Sequence, residues 1–151
     1  AFRFALLDNR PRWIAPVGPE SWRSRLVRLG KRYLTKAHRD DLANSCALAA
    51  LASDAGRSNA GFKKVYEEEL RNSLRAICLR PDEDSAVDPA RLDDTIAFMA
   101  LCVGGIALAR AVDDADLSER ILAVCRQAVE RVAAPGNEPP RNPEAPAHAA
   151  C

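Results

Sequence analysis

Apolar residues recur along this chain every three to four positions, the period of a helix that buries one face. Over 19–39, Trp22, Leu26, Leu29, Tyr33 and Leu34 follow that spacing with Arg and Lys between them. Pro19 suits the first turn of this helix, where a missing N–H costs nothing. Over 41–55 the pattern is almost wholly apolar (Leu42, Ala43, Cys46, Ala47, Ala49, Ala50, Leu51), and Gly56 is the expected stop. Ser58 or Asn59 then caps a helix whose stripe runs Phe62, Val65, Tyr66, Leu70, Leu74 and Ile77. Its polar face offers Lys64–Glu68 and Glu67–Arg71 as i,i+4 pairs, and Arg80-Pro81 ends it before a short acidic loop. The next start is the clearest, with Asp88 as N-cap and Pro89 at the first helical position. From Ile96 to Ala109 every residue is apolar. A last helix is predicted from Asp116, where Asp116-x-x-Glu119 fits a capping box, through Leu117, Ile121, Leu122, Val124, Cys125, Ala128, Val129 and Val132 to the Pro135-Gly136 stop. Phe2, Phe4, Leu6 and Leu7 read as the end of a further helix whose beginning is missing, followed by a Pro-rich loop over 10–19. No stretch alternates as a strand does. The expected fold is an all-α bundle of about six helices over 1–134, with a disordered Pro-rich tail over 135–151.

Composition agrees: Ala, Leu and Arg are abundant, and all three are strong helix formers. The net charge of +1 conceals an asymmetry. Residues 1–40 hold ten Lys/Arg against three Asp/Glu, whereas 81–120 hold three Arg against ten Asp/Glu, so +7 faces −7. Mutual neutralisation of the two regions within one fold accounts for this more simply than two separate charged partners. The 14-residue apolar run is shorter than the ~18 residues of a membrane span, and no signal pattern opens the chain. The expectation is therefore a cytoplasmic protein without a membrane partner. A helix apolar all round must be covered all round, so the 96–109 segment calls for a second helix on its outer side, from this chain or another copy.

Candidate chemistry is sparse. Cys46, Cys78, Cys102, Cys125 and Cys151 have no C-x-x-C spacing and no nearby histidines, so they read as core thiols rather than a metal site. No cofactor is expected. The two histidines, His38 and His148, have no nucleophile to activate, and Gly104-Gly105 sits in mid-helix, where its N–H groups are already used; an enzyme is therefore the weaker expectation.

Two stretches resemble the C-terminal domain of TetR-family transcriptional regulators. One is Gly104-Gly105-Ile106-Ala107-Leu108-Ala109-Arg110-Ala111-Val112, followed by Asp113-Asp114 and Leu117-Ser118-Glu119-Arg120-Ile121-Leu122. The other is Ser45-Cys46-Ala47-Leu48-Ala49-Ala50-Leu51-Ala52, after a basic helix. With the helix order, the likeness covers residues 1–134. It departs from the whole family in lacking a helix-turn-helix: the basic 19–39 segment is expected to be a single helix after a proline loop. Contact with DNA is thus implied only through a segment outside these residues.

The resemblance implies a repressor domain that dimerises and senses a small molecule. The last two helices would pair with their copies in a four-helix interface through Leu101, Gly104, Gly105, Leu108, Ile121, Val124, Cys125 and Ala128. An effector pocket would lie among the first, second, fourth and fifth predicted helices, lined by Trp22, Tyr33, Phe62, Tyr66, Phe98 and Met99, with Trp13 as a further candidate. Such a lining implies a hydrophobic effector with few polar anchors, drawn from His38, Asn44 and Tyr66. Flanked by Lys36, Arg39 and Asp40, His38 is itself expected at the surface. A helical adaptor binding a protein through its basic helix, or less favourably a small all-α enzyme, are the alternatives.

Overall fold

A computed structural model of the chain describes residues 14, 18–43, 46–79 and 86–134. Six α-helices make up its regular structure: α1 (Trp22–Tyr33), α2 (Lys36–Asp40), α3 (Ala47–Arg57), α4 (Ala60–Cys78), α5 (Pro89–Ala111) and α6 (Ala115–Val132). No strand occurs among the described residues. The 2–8 helix, Trp13, Asn44 and the 135–151 tail lie outside them.

Side-chain caps set most of the starts. Ser21, Thr35, Asn59, Asp88 and Asp114 each accept a backbone N–H from the first turn of the helix they precede. Three sequence expectations fail at such points. The basic segment is two helices, because Thr35 is extended and caps α2. The last helix begins at Ala115 under Asp114 rather than under Asp116, which falls in its first turn. Helix α3 starts only at Ala47, and it runs through Gly56 to Arg57. Gly56 does not adopt the left-handed conformation of a C-terminal glycine (among described residues only Gly18 does), and the end is made instead by Ser58, whose Oγ donates to the Asp54 carbonyl at 2.6 Å.

Helix α5 is the axis of the bundle. It packs on α1, α2, α3 and α4, and pairs along its length with α6. Its inward side, Thr95, Phe98, Cys102, Gly105, Ile106 and Ala109, meets Leu26, Leu29 and Leu34 from the α1 region, Ile77 from α4, and Leu122 and Val129 from α6. By length and composition α5 is apolar enough to cross a membrane, which the shorter 96–109 run did not suggest. Six of its residues are buried in the bundle, and a third of its most apolar stretch is covered within this chain.

The charge asymmetry resolves as neutralisation. Lys31 pairs with Glu130 at 3.2 Å, Lys36 with Glu119, and Arg23 with Asp94 at 3.9 Å, each joining the basic α1–α2 region to α5 or α6. These are surface pairs, worth about 0–1 kcal/mol each; they set orientation more than stability. The tighter joint is steric. A Cβ on Gly30 would stand 2.8 Å from Val129 Cγ1, so the α1 backbone rests directly on this α6 side chain. Gly30→Ala gains about 0.5–1 kcal/mol of helix propensity but overpacks the crossing by about 1–3 kcal/mol. We expect a net loss in urea unfolding that is mostly recovered when Val129→Ala is added, a departure from additivity that a double-mutant cycle reads directly.

Candidate functional site

The residues expected to line one pocket fall into two regions. Trp22 opens α1 and lies beside the start of α5, with the Arg23 and Arg91 guanidiniums 5.4 and 5.5 Å from its ring centroid. Tyr33 closes the same helix eleven residues on, about 16 Å away at 1.5 Å per residue. One small effector therefore does not touch both. Phe98 is buried in the main core, while Met99 packs on its edge.

Tyr33 and Tyr66 do converge, on a residue the sequence reading placed among the core thiols. Cys46 is the N-cap of α3, yet its side chain makes no capping bond to the helix. It lies beside the buried Tyr33 hydroxyl instead. The Tyr66 hydroxyl donates to the Leu48 carbonyl at 2.9 Å, one turn into α3. Burial, and then the Cys46 thiol beside them, holds both phenols above the ordinary tyrosine range, Tyr33 well above it. Cys102 lies close by on α5, its thiol pushed strongly upward by burial and by the neighbouring Cys125 and Cys46. Phe62 stands one turn before Tyr66. The end of α1, the start of α3, mid-α4 and mid-α5 thus gather two phenols and two thiols in an apolar surround, suited to hydrogen-bonding one polar atom of a hydrophobic molecule.

Of the expected interface residues, Gly105 and Cys125 face each other inside the chain: a Cβ on Gly105 would meet Cys125 Sγ and Leu34 Cδ2, each at 2.9 Å. Leu101 and Ile121 pack against the core edge. The remainder form an outer stripe, joined by Leu117, which the sequence did not place at the interface. Gly104 and Leu108 lie on it from α5, and Leu117, Val124 and Ala128 from α6. Each half of the stripe is one step around its helix from the Gly105–Cys125 contact, on the side away from the core, so the two adjoin along the α5–α6 seam. Leu108 is 59% exposed, Val124 49% and Leu117 47%, and nothing lies within 4 Å of a Cβ on Gly104.

At the far end of α5 the turn into α6 holds α2. Arg110 donates to the carbonyls of His38 and Arg39, both at 2.8 Å, closing the C-terminal end of that short helix. Arg39 donates to Ser118 Oγ, which in turn donates to the Ala109 carbonyl, both at 2.7 Å. His38, expected at the surface, is only 5% exposed. The break at Thr35 turns its ring inward, edge-on to Tyr33, with Nδ1 2.8 Å from the Tyr33 carbonyl. A cavity of about 420 Å³ opens beside this network, lined by Arg39, Asp40, Leu42, Arg110, Asp113 and Ser118. None of the expected pocket aromatics borders it. Among the described residues no group of three or more His, Cys, Asp or Glu side chains is placed to hold a metal ion.

No protein-family model matches the chain, and no curated protein matches its sequence.

Proposed function

We propose that the chain is the dimerising, small-molecule-sensing domain of a TetR-type bacterial transcriptional repressor, acting by binding rather than by catalysis. The observation that carries this reading is the outer stripe of α5 and α6. Leucine and valine at about half exposure, beside an open glycine, form an apolar face on the two helices whose sequence resembles the family's dimerisation helices. A second copy is the occupant that fits, because a two-fold axis through the seam lays each stripe on its own equivalent and covers both at once. The effector site on this reading is the Tyr33–Cys46–Tyr66 junction, with Met99 and Phe62 at its margins, and the effector is an apolar molecule carrying one hydrogen-bonding atom. Effector binding would favour one subunit arrangement of the dimer over another, releasing DNA held by a helix-turn-helix outside these residues.

Native mass spectrometry tests it. The expected species is a dimer, twice the 16.4 kDa chain mass. Leu108→Glu combined with Val124→Glu replaces two side chains that point to solvent within the subunit, so the helical signal stays and the mass falls to one chain. A monomer from the outset, or a charged-stripe variant that remains dimeric, overturns the assignment.

A further inference from the structure

The least stable helix of the bundle is held by a buried histidine. Five residues long, α2 is far shorter than the ~12–15 residues at which an isolated helix begins to stand in water, so its form depends on what it docks against. Three attachments hold it: Arg110 on the carbonyls of His38 and Arg39, Arg39 on Ser118, and the His38 ring against Tyr33. Nδ1 faces a carbonyl oxygen and therefore carries the ring's proton, which leaves Nε2, also buried, as the basic nitrogen of a neutral ring.

The groups around this ring set its response to protons. From α5, the Arg110 guanidinium brings a fixed positive charge to the same end of α2. From α1 come only the neutral Tyr33 phenol and its carbonyl, and from α6 the neutral Ser118 hydroxyl beyond Arg39. Asp41, just past the helix, is the one acid that favours a charged ring. We propose that α2 is a proton-released latch: a proton entering at His38 Nε2 places a second cation beside Arg110 in a dry site, and the helix undocks from the α5–α6 turn. Undocking releases Arg110 from the α2 carbonyls and widens the cavity beside them, where Arg39 stays paired with Asp40 and Arg110 stands near Asp113 and Leu42.

The sign follows from burial. Desolvation, reinforced by Arg110, outweighs the Tyr33 carbonyl and Asp41 and holds the docked ring below the ordinary value of 6.5, which an undocked α2 regains. Docking is therefore at full strength above about pH 6.5 and weakens as pH falls towards the docked value, by up to tenfold per pH unit for one proton.

The test follows the full chain by NMR in His148→Gln, where His38 is the sole histidine. Imidazole resonances report its protonation, and protection factors for the Arg39 and Asp41 amides, bonded to Thr35 and Ala37 carbonyls, report α2. Between pH 7.5 and 5 these two protections are expected to fall in step with the His38 titration, by no more than tenfold per pH unit, while α4 amides hold. Asp41→Asn should move the midpoint to lower pH, and His38→Asn, whose Nδ2 stands where the ring's Nδ1 was, should remove the pH dependence. Protection that stays constant through the titration, a midpoint indifferent to Asp41→Asn, or a loss that persists in His38→Asn overturns the latch.

Discussion

Gly105→Arg is expected to abolish folding, whereas Gly104→Ala, one residue earlier, leaves the protein as stable as its parent or slightly more so. Adjacent residues on a helix point about 100° apart, and here one step crosses from the densest joint of the bundle to open space. At Gly105 the first carbon of any side chain already meets Cys125 Sγ and Leu34 Cδ2 at 2.9 Å, and Cys125 Cβ at 3.2 Å. Overpacking of this kind costs about 1–3 kcal/mol for a few carbons. An arginine adds a charge without a partner in the α5–α6 core, a further loss of about 3–5 kcal/mol. Together these reach the 5–15 kcal/mol that holds an ordinary domain together. At Gly104 a Cβ meets nothing, and replacing a mid-helix glycine with alanine gains about 0.5–1 kcal/mol. Thermal melts followed by circular dichroism distinguish the cases: no cooperative transition for Gly105→Arg, and an unchanged or raised Tm for Gly104→Ala. A folded Gly105→Arg would mean that α5 and α6 pack further apart than described.

Arg25→Met, which keeps an unbranched apolar stem and removes the guanidinium, is expected to destabilise the protein by about 3 kcal/mol. Arg25 is 2% exposed and spans from α1 to the end of α4. Its guanidinium donates to the carbonyls of Ile77 and Leu79 at 3.2 and 2.9 Å, and its Nε stands 3.7 Å from a Glu20 oxygen. Those carbonyls belong to the last turn of α4 and to its C-cap, Leu79, so the arginine acts as a cap delivered from another element. Hydrogen bonds from a charged donor are worth about 1.5–3 kcal/mol each, and a methionine supplies none while burying both oxygens. Glu20 keeps its two-pronged contact with Arg28, at 2.9 and 2.6 Å, so the acid is not stranded and the loss stays below that of a fully broken buried pair. Urea unfolding measures it. A change under about 1 kcal/mol would assign the end of α4 to other partners.

What the sequence discloses and what it conceals divide along one line. Local chemistry was legible: the apolar stripe of α4, Asp88-Pro89 at the head of α5, Asn59 at the head of α4, and the Glu67–Arg71 pair, present at 2.7 Å. Local ambiguity defeated it. Asp114 and Asp116 both fit a cap, and the choice falls to Asp114, whose backbone is extended. Gly56 resembled a stop but is accommodated in the last turn. For the candidate sites the difficulty was distance along the chain. Helical spacing identifies Trp22 and Tyr33 as core-facing but says nothing of the ~16 Å between them. Neighbours in sequence made His38 look solvated, whereas its burial depends on Arg110, seventy-two residues later. Gly104 and Gly105 read alike as small residues; only the position of α6 separates them into an outward and an inward glycine.

The crossing of α1 over α6 bears on how the chain acquires its fold as it is made. Gly30 rests on Val129, Lys31 reaches Glu130, and Arg23 bonds the Ala134 carbonyl across 111 residues of intervening chain. During synthesis α1 is complete long before its main neighbour exists, whereas α3 has α4, and α5 has α6, as immediate successors. Until the last helix clears the ribosome, Leu26 and Leu29 lack the Val129 side of their core and remain a surface for chaperones or for misassociation between nascent chains. Formation of the bundle is thereby tied to the emergence of α6, and a ribosome stalled anywhere before Val129 leaves the first described helix unseated.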